Sequence, residues 1–229
     1  MVIGIIAEGT EDQAVIKNIL KGIAKSLNIE IDVRPIRPNL KKDEDDLQNN
    51  TQTIGTFQGV KNACEGIDGE RENFDKFFFL EDSAFMVIQL DTAEIDNHNF
   101  DFSRPNKDNN PNYSIELRNQ VIELINGWLE NNYENQLLYA IAIEEIEAWC
   151  LTIYNKKDTS LSANPKNQLQ RILNKRNIKI DGNNIASSFE KKVTKDFKNP
   201  KKLKQFTAYN QSLADFVNET IDKIKIIKT

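Results

Sequence analysis

Short apolar segments that end in acidic residues constrain the fold of this chain most strongly. Residues 1–7, 85–90 and 136–143 are rich in β-branched and aromatic side chains, and are followed directly by Glu8, Asp91 and Glu144. Runs of this length and composition are typical of strands buried on both faces of a sheet. A helical pattern follows the first run, with apolar residues on one face at Ala14, Val15, Ile19, Leu20, Ile23 and Leu27. The alternation predicts an α/β fold with a mainly parallel sheet and helices on both faces.

The remaining apolar periodicity predicts one more strand and several more helices. Residues 29–36 form the strand candidate, which the breakers Pro35 and Pro38 close. Helical spacing is found in residues 53–65, 115–129, 144–149, 165–176 and 212–225. Residues 77–80, three phenylalanines and a leucine, are too short for a separate helix. The Lys-rich segment between the last two helices predicts irregular structure. The polar residues 39–50 and 96–112 predict surface loops.

Charge divides the chain into two unequal parts. Residues 1–155 contain 13 Lys and Arg against 28 Asp and Glu, whereas residues 156–229 contain 17 against 7, so a net charge of -5 hides opposite signs. We expect an acidic α/β core in residues 1–155 and a basic, mostly helical C-terminal extension in residues 156–229 that packs on it. An acidic part can concentrate metal-binding carboxylates, and a basic part can hold a polyanion.

Several functional classes are excluded or disfavoured by what the sequence contains. Its apolar runs are far shorter than the roughly 20 residues that cross a bilayer, and Cys64 and Cys150 form no C-x-x-C motif, which favours a reducing cytoplasm. His98 is the single histidine and is interpreted as a loop residue, so paired-His zinc sites are excluded. The absence of a phosphate-binding glycine motif means that any ATPase activity would belong to a separate subunit.

Acidic residues follow three predicted strands, at the edge where parallel sheets hold functional groups. Glu8 and Asp91 each follow one strand, and Glu144, Glu145 and Glu147 come just beyond another. Carboxylates are the ligands that Mg²⁺ and Mn²⁺ prefer, and such a site can support phosphodiester cleavage. The alternatives are that Glu8 caps the following helix and that Glu11 is an acid of its first turn. Which of the three later glutamates faces the site stays open.

Three segments resemble motifs of the Toprim family. Residues 5–11, Ile-Ile-Ala-Glu-Gly-Thr-Glu, resemble its first motif, a hydrophobic strand followed by Glu-Gly-x-x-Glu, and residues 87–92, Val-Ile-Gln-Leu-Asp-Thr, resemble the strand of its second. Residues 142–149 resemble the Glu-Ala-Trp signature of small stand-alone Toprim-like proteins. The resemblance covers about residues 1–150.

Toprim domains occur in topoisomerases, primases and overcoming-lysogenisation-defect nucleases, and the resemblance implies a role for each matching residue. Glu8 would be the general acid/base, and Asp91 would be the principal ligand of Mg²⁺ or Mn²⁺. The family's Asp-x-Asp pair is incomplete because Ala93 stands two residues after Asp91. Glu94 and Asp96 are alternative ligands, and Glu144 and Glu147 are candidates to complete the site. The implied activity is that of a metal-dependent nuclease or nickase, with a defence or mobile-element system as its context.

The densest basic stretch lies in the C-terminal extension and is a candidate nucleic-acid surface. Lysine contacts phosphate as a point charge, so we expect binding that is independent of sequence. DNA is the favoured partner, and RNA is the alternative. The interleaved Phe189, Phe197 and Phe206 are expected to be buried. The lysines of this stretch are Lys191, Lys192, Lys195, Lys198, Lys201, Lys202 and Lys204.

Two other functions stay open at this point. Because Ala93 interrupts the Asp-x-Asp pair, the chain is alternatively a catalytically degenerate Toprim-fold module that binds or regulates. A phosphotransfer enzyme acting on a small nucleotide is the other alternative. Assembly into a homo-oligomer is compatible with each of these functions.

Overall fold

The computed structural model describes residues 1–38, 56–67, 70–81, 83–93, 95 and 103–227. In its first half, strands and helices alternate in the order β1 (Val2–Ile6), α1 (Thr10–Ser26), β2 (Asp32–Arg37), α2 (Phe57–Glu65), α3 (Glu70–Leu80), β3 (Ala84–Asp91), α4 (Tyr113–Trp128) and β4 (Leu137–Ala142). The second half contains α5 (Glu147–Tyr154), α6 (Pro165–Lys175), α7 (Ile185–Ser188), α8 (Pro200–Thr207) and α9 (Gln211–Ile227).

The four strands form one parallel sheet in the order β2-β1-β3-β4. The chain leaves β1 to one side to form β2, and then returns to form β3 on the other side of β1. Ligands of open α/β sheets bind at this kind of reversal, beyond the carboxyl ends of the two central strands. The predicted α/β fold with a mainly parallel sheet is therefore confirmed.

Each face of the sheet packs against its own set of helices, because successive side chains of a strand point to opposite faces. On one face, Ile5 of β1 and Val87 of β3 share a core with α1, α5 and the C-terminal extension. On the other face, Ile6 and Met86 share a core with α2, α3 and α4. Residues 77–80 belong to the last turns of α3, where Phe77 is buried but Phe79 is 86% exposed. Three phenylalanines followed by a leucine have no periodicity from which this difference in burial could be predicted.

The C-terminal extension packs directly on α1 and β4. Trp149 donates a hydrogen bond through Nε1 to Ser212 Oγ at 2.8 Å and stacks on Phe216, with a centroid distance of 5.6 Å. Lys223 Nζ donates to the Leu137 carbonyl at 2.7 Å, beside the outer strand β4. The buried aromatic residues expected in the Lys-rich segment are confirmed, namely Phe189, Phe197 and Phe206.

The Lys-rich segment itself is not irregular, so that prediction was wrong. It forms a π-helical turn at Phe189–Val193, a 3₁₀ turn at Lys195–Lys198 and then α8. Its buried residues Phe189, Phe197 and Phe206 share a core with α1. This packing stabilises helical turns in a segment whose many lysines hide the apolar periodicity in the sequence. Cys64 and Cys150 lie in the cores of opposite faces of the sheet. None of the helices in the described part of the chain is long and apolar enough to cross a bilayer.

Candidate active site

Glu8 and Asp91 lie side by side at the reversal point of the sheet. Glu8 follows β1 and Asp91 is the last residue of β3, and these strands pair in parallel with Ile6 opposite Ile88. The Asp91 amide donates a hydrogen bond to Glu8 Oε1 at 2.7 Å. Two acids separated by 83 positions in the chain are therefore brought into direct contact by strand pairing.

Gln89 holds both acids in place from within β3. Its side chain is fully buried, its Oε1 accepts a hydrogen bond from the Glu8 amide at 2.9 Å, and its Nε2 donates to Asp91 Oδ1 at 2.8 Å. The Ile146 amide donates to the same Asp91 oxygen at 3.1 Å. The side-chain amide of Gln89 therefore fixes the position of the Asp91 carboxylate relative to the backbone of Glu8.

Two further carboxylates complete what we call the carboxylate cluster, which consists of Glu8, Asp12, Asp91 and Glu147. Asp12 lies in the first turn of α1 with 7% of its surface exposed, and Glu147 is the first residue of α5 with 6% exposed. Burial raises the pKa of Asp91 well above its ordinary value, and the charges of Asp12, Glu8 and Glu147 raise it further. The four acids therefore lie close enough to repel one another.

The pKa values of the other two buried members of the carboxylate cluster, Asp12 and Glu147, are raised as well. Burial, followed by the charges of Glu11, Glu147 and Glu8, raises the pKa of Asp12 well above its ordinary value. Burial also raises the pKa of Glu147. A backbone hydrogen bond and the charge of Lys166 partly oppose this rise. Carboxylates crowded in a low-dielectric environment are stabilised either by holding protons or by binding a cation.

The carboxylate cluster suits a hard divalent cation by its chemistry, since it offers oxygen atoms and an excess of negative charge. In the side-chain positions observed, no three Asp, Glu, His or Cys residues of the described ranges converge as ligands of one ion. Glu8 Oε1 and Asp91 Oδ1 accept hydrogen bonds from the amides of Asp91 and Ile146. Each carboxylate has two oxygens with two lone pairs each, so these hydrogen bonds occupy only part of its capacity to accept.

Lys166 is the cation at the rim of the carboxylate cluster. It lies in the first turn of α6 with an exposed side chain, and its pKa is raised mainly by the charge of Glu147. Smaller contributions to this rise come from Glu11, Glu145 and Asp12. Its ammonium group is therefore close enough to the carboxylate cluster to be attracted by several of the acids.

Only one of the three glutamates beyond β4 joins the carboxylate cluster. Glu144, a predicted ligand, adopts a left-handed backbone with φ of 65° and pairs with Lys107 at 3.3 Å. Its amide donates to Thr92 Oγ1 at 2.8 Å, which ties the two strand ends together. Glu145 Oε2 accepts a hydrogen bond from the Lys166 amide at 3.0 Å, at the start of α6. Glu147 alone turns inward.

The other residues singled out from the sequence have different outcomes. Glu94, Asp96 and His98 lie outside the residues that the structure describes. Ala93 is exposed, and its amide donates to the Glu144 carbonyl at 2.9 Å. Trp149 is completely buried.

Sequence reasoning missed two residues of the site, although a signal was present for each. Asp12 lies three, seven and eleven positions before Val15, Ile19 and Ile23, and therefore on the buried stripe of α1. A charged residue on an apolar stripe indicates a buried functional group. Gln89 is likewise the one polar residue within the apolar run 85–90.

The seven lysines of the predicted nucleic-acid surface do not act alike. Lys198 pairs with Glu190 at 3.4 Å, and Lys202 pairs with Asp196 at 3.0 Å. Lys201 and Lys204 are exposed on α8, whereas Lys191, Lys192 and Lys195 line a cavity on another part of the extension. The basic stretch therefore contains ion-paired lysines as well as lysines directed to a concave surface.

The carboxylate cluster therefore combines residues from two strand ends and two helix starts at the reversal point of a parallel sheet. No protein-family model, curated protein or solved structure matches this chain. Its function must be inferred from the geometry and chemistry of these side chains.

Proposed function

We propose that this chain is a metal-dependent phosphodiesterase that acts on nucleic acid, as a nuclease or nickase. The observation that carries the proposal is the contact between Glu8 and Asp91, with Asp12 and Glu147 buried beside them. Four acids in one shielded place destabilise the fold unless protons or a cation neutralise them. The resemblance of the segments around Glu8 and Asp91 to Toprim motifs supports the same class of reaction.

Asp91, Asp12 and Glu147 are the residues we assign to holding Mg²⁺ or Mn²⁺. Their oxygens match the preference of hard divalent ions, and their mutual repulsion would be relieved by a positive charge. A bound divalent ion lowers the pKa of water and stabilises charge on phosphate oxygens. Gln89 keeps the Asp91 carboxylate oriented toward the site through its 2.8 Å hydrogen bond.

Glu8 and Lys166 are assigned to the substrate. Glu8 would accept or deliver a proton at the attacking or leaving oxygen, because its carboxylate lies at the end of β1 beside Asp91. Its position is fixed by the hydrogen bond from its amide to Gln89. Lys166 would bind a phosphate oxygen at the rim, where its exposed ammonium group is attracted to the carboxylate cluster.

Cleavage of plasmid DNA in the presence of Mg²⁺ or Mn²⁺ tests the proposal. Glu8→Gln and Asp91→Asn should each lower the cleavage rate by about 100-fold or more, the usual effect of removing an acid/base or a ligand. Glu123→Gln and Asp108→Asn are matched controls, since both residues are exposed and outside the cluster. Equal residual activity in all four variants would identify a contaminating nuclease and refute the assignment.

Metal binding can be measured separately from catalysis. Mn²⁺ at about 100 times its dissociation constant should stabilise the folded protein by about 2.7 kcal/mol in thermal unfolding. Asp91→Asn should abolish this stabilisation, and Asp108→Asn should preserve it. An undiminished effect of Mn²⁺ on Asp91→Asn would remove Asp91 from the ligand set.

A binding or regulatory module is the second candidate. It is favoured by the backbone amides of Asp91 and Ile146, which already occupy oxygens of Glu8 and Asp91, and by the exposed Ala93 where the family pattern has an acid. Such a module would bind nucleic acid in both the presence and absence of Mn²⁺ and would cleave none. Activity that Glu8→Gln eliminates would reject it.

A further inference from the structure

A basic cavity lies in the C-terminal half of the chain, apart from the carboxylate cluster. Its volume is about 590 Å³, and it is bounded by the end of α5, the residues after α6 and the π-helical turn. Ile153 and Ile178, which are both half-buried, contribute apolar surface to it. Its cationic residues are Arg176, Lys179, Lys191, Lys192 and Lys195.

The charge of the basic cavity is strongly one-sided. Asp196 is its single acidic lining residue, and the Asp196 carboxylate pairs at 3.0 Å with Lys202, which lies outside the cavity. Within the described ranges, no carboxylate forms an ion pair with Lys191 or Lys195. Lys191 and Lys195 are therefore cations of the cavity that no carboxylate in the described part of the chain pairs with.

Glu190, the neighbour of Lys191 in the chain, contributes to this separation of charge. Its carboxylate contacts Lys17 at 3.0 Å, Lys21 at 3.2 Å and Lys198 at 3.4 Å. Burial alone would raise the pKa of Glu190, but the hydrogen bonds from Lys17 and Lys21 outweigh it and lower the pKa to about 2. The acid closest in sequence is thus engaged with α1 rather than with the cavity.

The π-helical turn explains how the lysines come to face the cavity. The Thr194 amide donates to the Phe189 carbonyl, five residues earlier, at 2.9 Å, and Asn18 of α1 donates to Thr194 Oγ1 at 2.8 Å. Phe189 and Val193 are buried, so Lys191 and Lys192 between them are directed outward. Turns of this kind are frequent at functional sites.

Hydrogen bonds and a ring contact join the walls of the basic cavity. Lys192 Nζ donates to the Lys179 carbonyl at 2.9 Å, and Tyr154 Oη donates to the Val193 carbonyl at 2.8 Å. The Arg176 guanidinium lies 5.0 Å from the centroid of the Tyr154 ring, within cation–π range. These contacts preform the concave shape before any ligand arrives.

We propose that the basic cavity is a binding site for a phosphate-bearing ligand. The phosphate oxygens would contact Arg176, Lys191 and Lys195, and the organic part would lie against the apolar surface of Ile153 and Ile178. A volume of about 590 Å³ lies within the range of small-molecule sites. This inference goes beyond the proposed nuclease function, since the cavity lies at the opposite end of α5 from Glu147, about 10 Å along the helix axis.

Calorimetric titration in EDTA tests this inference without relying on catalysis. The probes are inorganic tripolyphosphate, ATP and a short single-stranded DNA oligonucleotide, at physiological salt. Lys191→Ala/Lys195→Ala should weaken binding of the preferred probe by about tenfold or more, because it removes two charged phosphate contacts. Lys201→Ala/Lys204→Ala is the matched control, since it removes the same charge from exposed residues outside the cavity.

The outcomes separate the source of the phosphate from the existence of the site. Selective weakening of tripolyphosphate or ATP binding supports a small phosphorylated ligand, and selective weakening of oligonucleotide binding alone supports a nucleic-acid phosphate in the cavity. Equal weakening by both double variants, or no binding of any probe, overturns the proposal. The titration requires neither a metal ion nor cleavage, so failure of the proposed nuclease function would not affect this result.

Discussion

Replacing Gly22 by alanine should destabilise the protein, although the same change normally stabilises a helix. Gly22 lies inside α1, where Ala is favoured over Gly by about 1 kcal/mol. A Cβ atom at this position would lie 2.1 Å from the Phe197 carbonyl oxygen and 2.9 Å from Leu203 Cδ2. The first of these atoms belongs to the backbone, so α1 and the 3₁₀ turn would have to move apart.

The magnitude follows from the size of this overlap. Overpacking of a well-packed core costs about 1–3 kcal/mol, and a backbone clash shorter than van der Waals contact belongs at or above the upper end. After the gain in helix propensity is subtracted, we expect a net loss of about 2 kcal/mol. For a chain of 229 residues this corresponds to a fall of roughly 4–8 °C in the unfolding temperature.

Gly127→Ala provides the matched control. Gly127 lies near the end of α4, and a Cβ atom there would meet no atom within 4 Å. Urea and thermal unfolding should show a gain of about 0.5 kcal/mol for this variant and a loss for Gly22→Ala. A neutral or stabilising Gly22→Ala would show that the C-terminal extension does not approach α1 as described.

Three further substitutions test the electrostatics and the polar core. Because burial, then Glu11 and other acids raise the pKa of Asp12, ionisation of Asp12 destabilises the metal-free fold as pH rises above about 4. Asp12→Asn should therefore be more stable than the wild type in urea at pH 8 and equal to it near pH 3.5; equal stability at both pH values would contradict this. Glu190, with its pKa lowered to about 2, should contribute stability above about pH 4.5 that is lost as pH falls toward 2, so Glu190→Gln should cost about 1 kcal/mol at pH 7 and nothing at pH 2. Ser212→Ala leaves the buried Trp149 N–H without its acceptor and should cost about 1–3 kcal/mol at any pH, whereas a neutral effect would deny that hydrogen bond a structural role.

The fold was predictable because strands that are buried on both faces of a sheet appear in the sequence as short continuous apolar runs. The runs 1–7, 85–90 and 136–143 correspond to β1, β3 and β4 with small shifts at their ends. The order of the strands was not predictable, since pairing between β1 and β3 depends on contacts between residues 82 positions apart. The proximity of Glu8 and Asp91 could still be expected, because all parallel strands end at the same edge of the sheet.

The composition of the site was only partly predictable. An acid in the first turn of a helix satisfies the helix dipole, and this ordinary role concealed the burial of Asp12. Glu144 and Glu147 were equivalent in the sequence, but the left-handed backbone at Glu144 directs its carboxylate to Lys107. That conformation is accompanied by hydrogen bonds to Thr92, which follows β3 and lies 52 positions away in the chain, so no local pattern could reveal it.

The lysines of the C-terminal extension show a similar limit. Their number made this stretch a candidate nucleic-acid surface, whereas in the structure Lys198 pairs with Glu190, and Lys202 pairs with Asp196. The partner Lys17 of Glu190 lies 173 positions away in the chain. The number of lysines in a stretch of sequence therefore overestimates how many are available to bind a ligand, because some of them form ion pairs with acids of the same chain.

The carboxylate cluster depends on the C-terminal extension through α1. The Toprim pattern has a second acid two residues after the first, but Ala93 is exposed, and Asp12 instead brings its charge to Asp91 from another element. Two acids within one strand end keep a fixed separation, whereas the separation of Asp12 from Asp91 depends on how α1 lies on the sheet. The 3₁₀ turn presses the Phe197 carbonyl against Gly22, and Thr194 accepts a hydrogen bond from Asn18. The extension therefore helps to set the distance between Asp12 and Asp91. In a chain of residues 1–155 alone, the position of α1, and with it the position of Asp12, would be less well fixed.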